Sequence, residues 1–273
     1  MSADTSPPAV ASEAGSEPAP RPSAGKADKI AKSNRAFYVF CGLLFVAAGV
    51  MIVNGGRTHP AITEHMGQWG TPTFYRHFAE LMGAPNWYSG HAQIMWGPIL
   101  GCAGALGLVF LSRARGESRW GSVAMWALAS GTVLWTLVYV FDGFISPKLA
   151  PLLLNAPPEL EPAMNMTFGA SQWVAITVAT PGWILMSVGQ LFFGVSLLVS
   201  RAGHDGRKLT AFVGGLGVLL GLSSLAAWAS GSFDPGPMIS FWWLINAYLG
   251  AIWYFTAGIL LLLRRRTPDP VAV

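Results

Sequence analysis

The sequence predicts an all-α integral membrane protein: a six-transmembrane-helix bundle with both ends in the cytoplasm (N-in/C-in) and an amphipathic helix in the first outer loop. Three observations predict it. The first is composition, since 52% of the 273 residues are hydrophobic and only 11% are charged. Soluble domains carry about 25% charged residues, and a chain this apolar could not cover a soluble surface with polar groups. The second is a series of six apolar runs, each near the roughly 20 residues that cross a bilayer's hydrocarbon. They cover Phe37–Asn54, His91–Leu111, Trp120–Ile145, Gln172–Ser200, Leu209–Ser230 and Ile239–Leu263. The third is the placement of the 17 basic residues between those runs.

Charge placement sets the expected orientation. Arg21, Lys26, Lys29, Lys32, Arg35, Arg113, Arg115, Arg119, Arg201, Arg207, Lys208, Arg264, Arg265 and Arg266 share one side, and only Arg57, Arg76 and Lys148 fall on the other. Cytoplasmic loops carry the excess of Lys and Arg, so the crowded side is assigned inward. This placement also accounts for the net charge of +4 without invoking nucleic acid as a partner. The lipid bilayer is the partner the composition implies.

Three segments follow from this division. Residues 1–35 are rich in Pro, Ala, Ser and Glu and form a disordered cytoplasmic tail, because such a stretch buries too little apolar area to offset its ordering entropy. The first apolar run starts too far from Met1 for a secretory signal. Residues 36–264 are the transmembrane domain, and residues 265–273 a short cytoplasmic tail. Twelve Arg, abundant Ala and abundant Gly suit a GC-rich bacterial genome, hence a multi-pass protein of the plasma (bacterial inner) membrane.

The outer loops hold the unusual features. Thr71-Pro72 reads as a cap followed by a first-turn proline, and Phe74, Tyr75, Phe78, Leu81 and Met82 then fall on one helical face. Arg76 and Glu80 lie opposite, and Gly83 and Pro85 stop the helix, which lies on the membrane surface or caps the bundle. The second outer loop, Ser146 to Ser171, contains five prolines and reads as a stiff cover. Within the runs, Pro98 and Thr180-Pro181-Gly182 are natural places for kinks.

Candidate chemistry gathers on the same side. His59, His65, His77 and His91 are all non-cytoplasmic, with Glu64 and Glu80. Asp142 is the only charged residue within a proposed span, and an intramembrane carboxylate needs a partner or an aqueous cavity. His91, at comparable depth, is the partner the sequence names. Imidazole with carboxylate suits zinc, copper, iron or manganese, and His77, His91 and Asp142 are the metal-ligand candidates, although no HxH, HxxH or HExxH spacing occurs. Polar groups at a membrane–water boundary are the plainer reading. The sequence assigns no cofactor.

A second feature is a polar stripe, Thr132, Thr136, Tyr139 and Gly143, with Gln93, Gln172, Gln190 and Asn246 on other helices. Amides within lipid must find partners, so these groups face inward, either as interhelical packing contacts or as a cavity. The cavity reading gives an outward-opening pocket for a small or lipid-like molecule, lined by Trp96, Trp135, Tyr139, Gln172, Trp242, Trp243 and Asn246 and anchored by His91 and Asp142. Gly97/Gly101 and Gly217/Gly221 put small residues on one face of two helices, suited to close helix–helix association within or between chains.

The order of a histidine opening an outer helix, a short basic turn and an aspartate ending the next helix resembles the C subunit of particulate copper monooxygenases. That family's metal motif is an Asp, a His one helical turn on, and a second His farther along. His77 and His91 keep a similar interval, but Thr73 stands where the Asp would be. The overlap covers at most the first three helices, and no residue role is carried over.

Several classes are disfavoured. Cys41 and Cys102 lie in apolar runs without metal or dithiol spacing. No phosphate-binding glycine loop, serine hydrolase elbow or pair of haem-ligating histidines within the bilayer occurs, and spans without basic residues speak against a pump or ion channel. Three functions stay open: a ligand-binding pocket, a membrane-embedded metal-dependent enzyme using the outer His and Asp residues, and a non-catalytic complex subunit or small carrier.

Overall fold

The computed structural model describes residues 24–60, 66–117, 119–200, 207–229 and 241–264, with side chains omitted for 24–33 and 241–244. The described residues form α1 (Ala24–Thr58), α2 (Pro72–Leu81), α3 (Trp87–Ala114), α4 (Arg119–Tyr139), a π-helical segment (Val140–Ile145), α5 (Ser146–Leu154), α6 (Glu161–Val199), α7 (Arg207–Ala229) and α8 (Phe241–Arg264). Six helical stretches among them are long and apolar enough to cross a membrane. Each long helix packs on the next in sequence, α1 on α3, α3 on α4, α4 on α6, α6 on α7 and α7 on α8, and α8 returns to α1. The result is a closed ring of six helices whose interior is shared by all of them.

Helix ends differ from the sequence reading where local chemistry extends them. α1 begins at Ala24, inside the segment assigned to the tail. α6 begins at Glu161 rather than Gln172, with Pro162 in its first turn, where a missing N–H costs nothing. Its 39 residues span about 58 Å, far more than a bilayer's hydrocarbon, so α6 extends past the ring. Pro147 likewise stands in the first turn of α5. The second outer loop is therefore mostly helix. Pro98 and Pro181 lie inside continuous helices.

α2 forms as its sequence signals require. The Thr71 hydroxyl accepts the Phe74 N–H at 3.2 Å, and Pro72 occupies the first turn. Its buried face, Phe74, Tyr75, Phe78 and Ala79, joins Met82, Trp87, Ala150, Leu153 and Phe168 in a second apolar cluster, separate from the main core. α2 and α5 thus cover one end of the ring, a covering that buried aromatic area stabilises. At the opposite end, Glu117 accepts N–H groups from Trp120 at 2.7 Å and Gly121 at 3.2 Å, capping α4.

The glycine stripes are consumed within the chain. A Cβ at Gly97 would meet Ile52 of α1 at 2.6 Å, one at Gly101 would meet Tyr254 at 2.4 Å, and one at Gly217 would meet Trp253 at 2.9 Å. These glycines let α3 approach α1 and α8, and let α7 approach α8.

Candidate metal centre

Three chemically active side chains meet beneath the α2–α5 cover. His59 follows the last turn of α1, His91 sits one turn into α3, and Asp142 lies in the π-helical segment after α4. Their ligand atoms all lie within 4.8 Å of one another. His91 Nε2 is 3.0 Å from Asp142 Oδ2 and 3.2 Å from His59 Nε2. The backbone brings them together at glycines. A Cβ at Gly90 would sit 3.3 Å from His59 Cα, and one at Gly143 would sit 2.7 Å from His91 Cβ. π-helical turns are rare and recur at functional sites, and this one carries Asp142.

Tautomers follow from the hydrogen bonds. His59 Nδ1 lies 2.8 Å from the Pro60 carbonyl, and His91 Nδ1 lies 2.8 Å from the Trp87 carbonyl. A carbonyl oxygen only accepts, so in both rings Nδ1 carries the proton and donates it. His91 Nε2 then faces His59 Nε2 and a carboxylate oxygen, and either a metal ion or a proton on His91 Nε2 joins the three. Fixing a ligand histidine by a bond from its other nitrogen is the usual support in metal sites.

The remaining electrostatics point the same way. Asp142 Oδ1 is buried and has no hydrogen-bond partner. Burial pushes His59 below the ordinary histidine range and His91 reinforces this, against the Asp142 carboxylate and the Pro60 carbonyl. His59 is thereby kept in the neutral form that binds metal. Two imidazole nitrogens and a carboxylate oxygen converge, a set that a metal ion or a proton at His91 Nε2 completes.

The spacing suits a transition metal. Ligand atoms about 2.0–2.1 Å from a tetrahedral ion stand about 3.3–3.4 Å apart, and adjacent octahedral ligands at that distance stand about 2.9 Å apart. Two of the three pairs, at 3.0 and 3.2 Å, fall between the two, at lengths that hydrogen bonds share. Imidazole and carboxylate together select zinc, copper, iron or manganese over calcium or magnesium. The surroundings of His91 are aromatic. Trp87 stacks on His91 with centroids 4.3 Å apart, Phe78 packs on Trp87 at 5.6 Å, and His91 itself is fully buried.

A cavity of about 130 Å³ lies inside the ring. Its lining includes Gly56, Ile94 and Tyr139, each three residues from His59, His91 and Asp142 respectively, and on the side away from the α2–α5 cover. Three residues of helix rise about 4.5 Å, so on all three helices the cavity begins one turn beneath the group.

The residues singled out in the sequence divide accordingly. His91 and Asp142 are in contact, and Tyr139 packs edge-on to His91 with centroids 5.9 Å apart. Tyr139, Trp135 and Asn246 line the cavity. Trp96 is 48% exposed and is not part of that lining. Gln172 is buried beside the α5 junction, donating to Ser146 Oγ at 2.6 Å. His77 lies 3.3 Å from the Met66 carbonyl, outside the three-residue group. The side chains of Trp242 and Trp243, and all of Glu64 and His65, lie outside the described residues.

His59 is the member of the group that the sequence places among the outer histidines but not among the metal-ligand candidates. The first apolar run was ended at Asn54, which put His59 in a loop, whereas α1 continues to Thr58 and carries His59 to the level of His91. The available signal was that three polar groups close the same end of three successive helices. Comparison with known protein families, curated proteins and solved structures returns no match, so the functional reading rests on the geometry of the site.

Proposed function

We propose that this chain is a membrane-embedded, metal-dependent enzyme in which His59, His91 and Asp142 hold one divalent ion of the zinc, copper, iron or manganese class. The observation that carries the reading is the convergence of two imidazole Nε2 atoms 3.2 Å apart with a carboxylate oxygen 3.0 Å from one of them. A proton on His91 Nε2 also joins these groups, and the metal analysis below separates the two. With only three protein ligands, an ion keeps positions for water or substrate, the pattern of catalytic rather than structural centres. Two histidines and a carboxylate with open positions suit Lewis-acid chemistry and, for iron, oxygen chemistry.

Metal analysis tests the reading. Protein purified without chelator, or reconstituted with Zn²⁺, Cu²⁺, Fe²⁺ or Mn²⁺ and desalted, retains about one equivalent, and His59→Ala and Asp142→Asn lose most of it. Retention below about a tenth of an equivalent of every one of these metals ends the proposal. A metal-free pocket anchored by His91 and Asp142, which the cavity favours, is then what remains. We further place the protein in a plasma membrane with both ends inside and the metal group at the outer end, as the distribution of arginine supports. A tag after Val273 that is reached from outside intact cells overturns that orientation.

A further inference from the structure

Two glycines in the cavity wall are not explained by packing. Most glycines of the ring stand where a Cβ would collide with a neighbouring helix, as at Gly131, where it would lie 2.6 Å from Met186 N. At Gly56, Gly215 and Gly250 a Cβ would meet nothing within 4 Å, and of these the exposed Gly56 and the buried Gly250 line the cavity. A third observation concerns Tyr254, which lines the same cavity, is 1% exposed, and has a hydroxyl with no hydrogen-bond partner. A buried hydroxyl left unpaired is costly, and a ligand in the cavity that Tyr254 lines is one acceptor for it.

We infer that the cavity is the substrate chamber of the metal centre, taking a small, mainly apolar molecule that carries a hydrogen-bond acceptor. Size, shape and polarity set this class. A volume of about 130 Å³ is close to that of an engineered apolar cavity of about 150 Å³ that admits benzene. From Asn246 to Tyr254 the chamber extends about 12 Å along α8, which favours an elongated molecule. Ile52, Val53, Ile94, Pro98 and Met186 supply apolar walls. Asn246 Oδ1 accepts from Ser223 Oγ at 2.6 Å, and Tyr254 is one of several lining residues with a hydrogen-bond donor, beside Asn246, Gln190 and Trp183. Gly56 and Tyr248 are exposed lining residues and mark where the chamber meets the surface, between α1 and α8. The end nearest Gly56, Ile94 and Tyr139 brings one end of the molecule beneath the metal.

The inference rests on the metal-centre reading, and the experiment separates the two. Fluorobenzene and 4-fluorobenzonitrile are titrated by fluorine NMR into protein loaded with Co²⁺ or Zn²⁺. Wild type loaded with Co²⁺ broadens both resonances saturably, the Zn²⁺ form does not, and Gly250→Leu abolishes the broadening while keeping the visible absorption of bound Co²⁺. Gly56→Leu serves if Gly250→Leu does not fold. Tyr254→Phe lowers the preference for the nitrile over fluorobenzene about five-fold, the worth of one neutral hydrogen bond. Broadening that survives both leucine variants with Co²⁺ bound overturns the chamber. If Co²⁺ does not bind, the metal analysis above decides the metal reading by itself, and the probe shift in metal-free protein decides the chamber. A shift removed by the leucine variants supports it, and an unchanged shift overturns it.

Discussion

Gly143→Ala displaces the proposed metal ligands without removing one. A Cβ at residue 143 would stand 2.7 Å from His91 Cβ, 3.0 Å from Cγ and 3.1 Å from Cδ2. Carbon atoms in contact prefer about 3.5–4.0 Å, so about 1 Å must open between the π-helical segment and α3. Metal–ligand distances tolerate only about 0.2 Å, so His91 and Asp142 cannot both keep their bonds. Overpacking of this kind costs about 1–3 kcal/mol of stability. Metal affinity falls by about 10–100-fold, the range seen when groups supporting a ligand are disturbed. Competition against a chromophoric chelator in detergent measures it. Gly221→Ala is the control, since its Cβ would collide with Leu191 at 2.6 Å on the α6–α7 face, away from the metal group. It lowers the melting temperature and leaves zinc affinity at the wild-type value. Unchanged affinity in Gly143→Ala, or equal losses in both variants, refutes the placement of the centre.

Three smaller perturbations test the surroundings. Gln172→Leu removes the amide that donates to Ser146 Oγ at 2.6 Å and costs about 1–3 kcal/mol, read as a lower melting temperature with and without metal. Burial opposes ionisation of Glu117, but the Ser196 hydroxyl and the N–H groups of Trp120, Gly121 and Arg119 outweigh it and hold the carboxyl below its ordinary value. A carboxyl depressed on folding stabilises fully above its unfolded pKa, about 4.3, and loses that contribution as pH falls through the folded value. Glu117→Gln therefore melts below wild type at neutral pH, and the two curves converge in acid; parallel curves contradict this. The Arg76–Glu161 ion pair is 3.2 Å long with side chains 50% and 41% exposed, so Arg76→Ala costs less than about 1 kcal/mol and the difference shrinks in high salt.

The ring of helices was legible because lipid-compatible runs and their arginine flanks are long-range signals summed over many residues. Helix ends were less legible, since they depend on single groups. Pro162 started α6 well before Gln172, and Pro147 turned a presumed loop into α5. The amphipathic α2 was readable from Thr71-Pro72 and its aromatic spacing, because cap and periodicity agree there. His91 and Asp142 stood out as costly polar groups at similar depth, and they lie 3.0 Å apart. His59 did not stand out, because its role depends on α1 running one turn past Asn54. Nor could spacing along the chain reveal a group whose members come from three helices. The lining of the chamber was only partly legible for the same reason: Trp135, Tyr139 and Asn246 face inward, but Trp96 turns outward by a helical rotation that no local pattern dictates.

The most direct measurement is X-ray absorption at the zinc edge of reconstituted protein. The account predicts a first shell of nitrogen and oxygen only, at about 2.0–2.1 Å, with outer-shell scattering from two imidazoles. In His59→Ala one imidazole disappears. A shell containing sulfur, or one with two imidazoles that persists in His59→Ala, contradicts it.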